Sequence, residues 1–396
     1  MVDFSLMAKN MRSSEIRRLM KLAADPSTIS FSGGMPANEL FPIDVVDELY
    51  NGLDLKTKRI AMQYGPTPGY PPLLEALKNY LVSRGISMEG QELIITTGAQ
   101  QALNLLAKVF IDPKDMIITE YPSFIGGIAA FKSYDADLLP IALDNDGIDT
   151  DAVASAITTH ADRIKMFYLN PVYHNPAGII YSNDRKNRLL QILADKPYCI
   201  IEDDPYSELW FDEADKPKTT PLKVMAPDLP ICYVGTFAKI FGPGLRLGWL
   251  FGPKDIIDKC ELAKQSMDAC TTTFTQVLAS EYLNKGKLAP YLTWLRPIYK
   301  RRAALMLDAL KATMPQGITW TVPQGGFYVW VTMPEHVNAT DVLNNALAQG
   351  AAFVIGSAFD PLGVKNNSMR LAFSYTPEDQ IAKGIGIIAD AVKTLL

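Results

Sequence analysis

The sequence predicts an α/β protein with a mainly parallel sheet, helices on both of its faces, and a smaller α+β unit after it. Three observations carry this. The middle of the chain alternates short apolar runs with helix-patterned stretches, which is how a layered α/β architecture reads. From about residue 285 that alternation gives way to a long charged helix and then to strand-like runs. The length, 396 residues, is enough for two units sharing a substantial core.

In chain order, apolar runs read as strands at Glu92 to Thr96, Met116 to Thr119, Lys165 to Leu169, Tyr198 to Ile201 and Ile231 to Val234. Leu247 to Phe251 reads as an antiparallel edge strand. Helical spacing of apolar residues marks Gln101 to Phe110, where Leu103, Leu106, Ala107 and Phe110 share a face, and Asp184 to Ala194. Beyond residue 285, Trp294 to Ala312 is an amphipathic helix whose Arg296, Lys300, Arg301 and Arg302 form a solvated face. A strand at Gly326 to Val331, a helix near Ala339 to Gln349 and a strand at Met369 to Phe373 follow. No internal repeat or low-complexity linker interrupts the chain. The expected division is an arm and part of the small domain at 1–47, a large domain at 48–285 and a small C-terminal domain at 286–396.

Composition narrows the function. Apolar residues make up 48% and charged residues 20%, with a net charge of −5, a balance that argues against nucleic acid or an anionic membrane as partner. No apolar run approaches the ~18 residues of a membrane span. The first residues carry no signal-peptide pattern, so the expected address is the cytoplasm. Cys199, Cys232, Cys260 and Cys270 form no metal-type pairs, and the three histidines, His160, His174 and His336, are too few and too scattered for a zinc site or a histidine triad. No metal is expected.

The chemistry-bearing segments point elsewhere. Ile231 to Val234 delivers Thr236-Phe237-Ala238-Lys239 at a strand end, an irregular Gly/Pro loop follows, and Arg246 comes seven residues after the lysine. A lysine that bonds a carbonyl compound needs a fixed position, a lowered pKa and a nearby anion site; a lysine before a Gly-Pro turn, taken alone, is merely a surface residue. Glu92 to Gln101 is strand, tight turn and helix start, a joint whose free N–H groups favour an anion. Glu202-Asp203-Asp204-Pro205-Tyr206 puts carboxylates at the end of a buried strand, where open α/β sheets bind ligands, although such a cluster also caps helices. Asn170-Pro171 to Pro176-Ala177-Gly178 is a turn after a strand, and Arg370 lies within a strand.

Taken in this order, these segments resemble the pyridoxal-phosphate-dependent class I/II aminotransferases of fold type I. Ser14-Glu15-Ile16-Arg17, followed by Ile29 to Pro36, resembles the branch of 2-aminoadipate, kynurenine and aromatic aminotransferases. The resemblance implies an aspartate-aminotransferase-like large domain with a seven-stranded-type sheet, and a catalytic set of Lys239, Asp203 and Tyr206. Lys239 would bond the cofactor and carry a proton; Asp203 would keep the pyridine nitrogen protonated, with Asp204 its neighbour. Tyr206 and Asn175 would donate to the ring oxygen, and Phe124 would cover the ring. Gly98, Ala99, Gln100, Thr236 and Arg246 would hold the phosphate, joined by Tyr64 from the neighbouring subunit of a homodimer with shared sites.

For the substrate, Arg370 would bind the α-carboxylate beside Asn175 and Gly34, and Arg17, with Arg18 its rival, the distal carboxylate. The implied activity moves an amino group from an aromatic, aliphatic or 2-aminoadipate/glutamate-like L-amino acid to a 2-oxo acid such as 2-oxoglutarate, in a ping-pong cycle. A lyase or decarboxylase of the same fold would share every cofactor residue, and a transcriptional regulator derived from it is disfavoured by the acidic balance. Ala99, Ala238 and Ile355 depart from the family pattern, where a hydroxyl, serine and proline are common.

Overall fold

The computed structural model describes residues 3–4, 8–9 and 27–396. After a two-residue strand β1 (Ile29–Ser30), the chain builds its main sheet from β2 (Gln91–Thr96), β3 (Met116–Tyr121), β4 (Asp137–Asp144), β5 (Gly147–Ile148), β6 (Ile164–Leu169), β7 (Cys199–Asp203), β8 (Ile231–Thr236) and β9 (Gly248–Pro253). Their spatial order is β2-β9-β8-β7-β6-β3-β4-β5. Strands β4, β3, β6, β7 and β8 run parallel, while β9 is antiparallel to both β8 and β2. The sheet is thus seven longer strands plus the short β5 hairpin partner.

The period-two alternation of strand side chains is visible in the core. Ile117, Met166, Ile201 and Val234 pack on one face with Leu103 and Leu106 of helix Ala99–Phe110. Ile118, Phe167, Ile200 and Ile231 pack on the other with Val153 of helix Thr150–His160 and Leu189 of helix Asn183–Leu193. Burial on both faces explains why these strands read as continuous apolar runs.

One expectation needs correcting, and one strand was not anticipated. The strand at 247–251 is antiparallel but not at an edge: β9 lies between β8 and β2, and β2 forms the edge. Strand β4 was not legible, because Asp137, Pro140 and Asp144 break its apolar pattern; near the sheet margin its residues are mostly half-buried, so the pattern is not required.

The second sheet is antiparallel, β10 (Thr319–Trp320), β11 (Tyr328–Thr332), β14 (Ser368–Ala372) and β13 (Val354–Ile355) in that order. Helices Leu288–Thr313 and Glu378–Lys393 pack against each other and helix Ala339–Ala348 against the latter. The segment after the N-terminal residues is stitched into this unit: β1 pairs in parallel with β12 (Ala351–Ala352), Phe31 N–H donates to Ala352 O at 2.8 Å, and Ala372 N–H donates to Phe31 O at 2.9 Å.

Candidate active site

The parallel strands β3, β6, β7 and β8 all end on one side of the sheet, the side where crevices in open α/β sheets collect ligands. The turn out of β8 carries Lys239, whose ammonium donates to Gly34 O at 2.6 Å. Its Nζ stands 5.8 Å from the Tyr206 ring centre and 5.4 Å from that of Phe327. Burial, then the cations Arg370 and Arg246, pull its pKa down to about 7. This is a lysine able to hold or release a proton near neutral pH.

Strand β7 ends at Asp203, 4% exposed. Its Oδ2 accepts from Tyr168 Oη at 2.7 Å, while Oδ1 is buried and has no hydrogen-bond partner among the described residues. Burial pushes this carboxyl up to about 7, against the Tyr168 bond, with Asp204 and Glu120 adding to the rise. An orphaned buried carboxylate oxygen is costly unless a donor meets it. Asp204 has no such vacancy: its Oδ2 accepts from Tyr233 Oη at 2.5 Å and its Oδ1 from Ser207 N–H at 3.0 Å. The two adjacent carboxylates therefore part roles by direction, one into the site and one into the framework.

Arg370 of β14 lies between both sheets, 2% exposed. Nη1 donates to Asn175 Oδ1 at 3.0 Å and Nη2 to Ser32 O at 2.6 Å, while Nε is buried with no partner among the described residues. Its guanidinium lies 4.5 Å over the Tyr328 ring and 4.9 Å over that of Phe359. Among the described residues it has no carboxylate ion pair within 4 Å. A buried cation held by neutral oxygens and aromatic faces is arranged to take an anion from outside. Asn175 is fixed by its backbone, whose N–H donates to Asn170 Oδ1 at 2.6 Å. Tyr206 is buried, its hydroxyl 2.8 Å from that of Tyr328.

At the same end of the sheet, Thr96 and Thr236 both pair with Gly248, and helix Ala99–Phe110 begins after Gly98, which has φ 74° and no side-chain cap. A Cβ on Gly98 would come within 2.7 Å of Arg246 Nη2, so the glycine lets the guanidinium approach the helix N-terminus. Arg246 itself has φ 49° and is exposed. Thr236 Oγ1 accepts from Ala238 N–H at 3.1 Å and donates to Leu247 O at 3.2 Å. Helix dipole, Ala99 and Gln100 amides and Arg246 form a positive rim. The Gln100 side chain is committed to Gly126 O at 2.8 Å, beside the Phe124 ring.

The structure thus gathers Lys239, Asp203, Tyr206, Asn175, Arg370 and Gly34 in one linked cluster, with Gly98, Ala99, Gln100, Thr236 and Arg246 forming the rim and Phe124 next to Gln100. Tyr64 is not part of the cluster: it is 87% exposed. Arg17 and Arg18 lie outside the described residues. Two other clefts, of about 890 and 830 Å³, contain none of the cluster's residues.

Several members escaped sequence reading. Tyr168 sits opposite Ile201 in the β6–β7 register, so Asp203, two residues further, shares its face; only the pairing reveals this. Glu120 at the end of β3 accepts from Asn170 N–H at 3.0 Å, from Tyr181 Oη at 2.6 Å and bonds His174 Nε2 at 3.1 Å. His174 Nδ1 accepts from Ala177 N–H at 3.1 Å, which makes Nε2 the protonated nitrogen and this histidine a fixed part of the framework. Ser32, Phe327 and Tyr328 come from the N-terminal segment and the second sheet, and nothing local in the sequence brings them to the lysine.

Comparison with known proteins accounts for this arrangement. Residues 33–388 match the family model for aminotransferase class I and II. The chain is 38% identical to aromatic-amino-acid aminotransferase 1 of Thermococcus litoralis over 98% of its length and 94% of that protein's. It is 34% identical to 2-aminoadipate transaminase of Thermus thermophilus, covering 98% of this chain and 96% of that one. The structure superposes on kynurenine aminotransferase of Pyrococcus horikoshii, solved with pyridoxamine phosphate, with a TM-score of 0.95 and 37% identity, covering 99% and 97% of the two chains. A lysine poised near neutrality, an orphaned carboxylate and a buried unpaired arginine are what such a reaction requires, and the chain belongs to the class I and II aminotransferases of fold type I, as a pyridoxal-phosphate-dependent transaminase.

Proposed function

We propose that this transaminase takes aromatic, aliphatic and 2-aminoadipate- or glutamate-like L-amino acids as donors, passing the amino group to a 2-oxo acid such as 2-oxoglutarate in a ping-pong cycle. The observation that carries the reading is Arg370, a buried guanidinium near the lysine that has no carboxylate within 4 Å among the described residues. An α-carboxylate is the anion that a guanidinium fork binds bidentately. The breadth of donors is supported by the relatives, whose names span aromatic amino acids, 2-aminoadipate and kynurenine.

When bound, pyridoxal phosphate supplies the carbonyl that accepts the amino group and the ring that withdraws electrons. The chain's residues fit it. Asp203 Oδ1 would accept from the ring N–H, Asn175 and Tyr206 would donate to the ring oxygen, and Phe124 would cover a face. Gly98, Ala99, Gln100, Thr236 and Arg246 would hold the phosphate. Lys239 Nζ takes the proton from the substrate α-carbon and returns it on the other side of the transfer. Its lowered pKa leaves part of the amine free at neutral pH. Arg370 and Asn175 fix the substrate's carboxylate, which aims the α-C–H at Lys239.

Tyr64 would reach the phosphate of a second copy in a homodimer with shared sites. Support comes from its exposure together with that of Leu55, Ile60 and Met62 nearby in the chain, an apolar group that association would cover. Arg17 would meet a distal carboxylate from the N-terminal arm. The division at residues 47 and 285 and a cytoplasmic location complete the reading; no helix of the described residues is long and apolar enough to cross a membrane.

The test is a donor panel run without acceptor, each half-reaction followed by loss of the lysine-bound cofactor's visible band, for the parent and Arg17→Ala. Glutamate, 2-aminoadipate, phenylalanine and leucine should all bleach the band without release of ammonia. Arg17→Ala should raise KM for the two dicarboxylic donors far more than for the others. Equal losses for both classes defeat the assignment of Arg17, and ammonia in place of amino transfer defeats the transaminase cycle proposed.

A further inference from the structure

Tyr328 of β11 was no candidate from sequence, yet it touches the site on several sides. Its side chain is 1% exposed. Its hydroxyl lies 2.8 Å from Tyr206 Oη, with the rings edge-on at 87°. The Arg370 guanidinium lies 4.5 Å over its ring. A Cβ on Gly34 would fall 2.0 Å from its hydroxyl, so backbone closes directly on the phenol, while one on Gly178 would fall 2.2 Å from the Tyr328 carbonyl oxygen, so the main chain is hemmed in as well.

Two hydroxyls sharing one hydrogen bond have one donor and one acceptor. Whichever accepts keeps its own proton for a third group. Arg370 lies over the Tyr328 ring and not over that of Tyr206, and such a cation favours the more acidic phenol as donor: burial raises Tyr328, but Arg370 opposes it directly after burial, whereas on Tyr206 Arg370 comes only after burial and Tyr328. Tyr206 is held well above the ordinary phenol range, first by burial and then by Tyr328. We propose that Tyr328 is a positioning residue that donates to Tyr206 Oη and thereby commits the Tyr206 proton to the ring oxygen of the bound cofactor. The inference rests on the proposed role of Tyr206 as donor to that oxygen.

The test uses holoenzyme and reads the pH midpoint of the bound cofactor's visible absorbance change. A donor to the ring oxygen favours the form in which that oxygen is anionic, so weakening the donor raises the midpoint. Tyr328→Phe should raise it by about half to one pH unit, the scale of one hydrogen bond, and lower kcat by about 3- to 10-fold. Difluorotyrosine incorporated at position 328 keeps the shape, strengthens the donor and should lower the midpoint, so a folding defect in the Phe variant cannot mimic the result. In a cycle with Tyr206→Phe, the double variant should show the Tyr206→Phe shift and no more. A shift for Tyr206→Phe with none for Tyr328→Phe, or additive shifts in the double variant, overturns the inference while leaving Tyr206 in its role. No shift for Tyr206→Phe overturns that role and the inference with it.

Discussion

Replacing Asp203 by Asn tests a buried, half-satisfied carboxyl. Among the described residues Oδ1 has no partner and Oδ2 keeps only the Tyr168 hydroxyl at 2.7 Å. Burial raises the group from 3.8 to about 7. In the unfolded chain it ionises near 4, so between about pH 4 and 7 the folded state binds the extra proton and stability falls as pH rises; below 4 the full stability is present, and above about 7 the loss is complete. A rise of about three units, at about 1.36 kcal/mol each, sets the loss at roughly 4 kcal/mol, of which about 2–3 falls between pH 5 and 8. Asparagine keeps the shape and the acceptor for Tyr168 but does not titrate.

Urea unfolding of the cofactor-free protein at pH 5 and 8 should therefore show Asp203→Asn gaining about 2–3 kcal/mol on the parent as pH rises. Adding pyridoxal phosphate should reverse the order at pH 8, since only the carboxylate gains a charge-assisted partner in the ring N–H. Turnover of the loaded variant should drop by about 100-fold or more, since the charge that stabilises the protonated ring is lost. Parallel pH curves for parent and variant, within about 0.5 kcal/mol, would refute the view of Asp203 as a buried, half-satisfied carboxylate.

Arg370→Leu should raise KM for every amino-acid donor by about 100-fold or more, and it should also stabilise the cofactor-free fold by about 1–3 kcal/mol, because an unpaired buried cation is removed; unchanged KM would show that the carboxylate binds elsewhere. Gly34→Ala places a Cβ within 2.0 Å of the Tyr328 hydroxyl. Thermal unfolding should register a loss of about 1–3 kcal/mol, with reduced covalent loading at Lys239 because its carbonyl partner moves. Mixing Lys239→Ala with Tyr64→Phe subunits, after exchange proven by mass spectrometry, should restore about one native-like site per hybrid dimer. No recovery would show that Tyr64 serves its own chain.

How much of this was legible from sequence follows from how each feature is encoded. Lys239, Asp203 and Arg246 sit at strand ends whose apolar runs are short, dense and buried on both faces, so the local pattern marks both the strand and the residue it delivers. The rim at Gly98 was readable for the same reason: a strand, a glycine and a helix start occur in one unbroken stretch. Strand β4 was lost because a margin position does not demand an apolar pattern. The placement of β9 was missed because nothing local says which neighbour an antiparallel strand will choose. Tyr168, Glu120 and Tyr328 depend on register and on which units meet, and both are properties of the assembled fold. The resemblance selects Asp203 over its neighbour Asp204, and what the sequence does not show is that Tyr233, from the next strand, donates its hydroxyl to Asp204.

The stitching of the first described segment to the last strand bears on the order in which the molecule is made. Ser32 O and Arg370 Nη2 are 338 residues apart, and Thr376 Oγ1 reaches back to Ser30 O across 346. At a ribosomal rate of about 5–20 residues per second, Ile29 to Gly34 waits roughly 20–70 s for its partners. Every strand of the main sheet, Lys239 and Asp203 included, is synthesised within that interval. Lys239 and Asp203 are thus in place before the partners of Ser32 and Ser30 are made. Under the proposed role of Arg370, a chain stopped before residue 368 would carry its lysine and its carboxylate yet lack the guanidinium meant for the substrate.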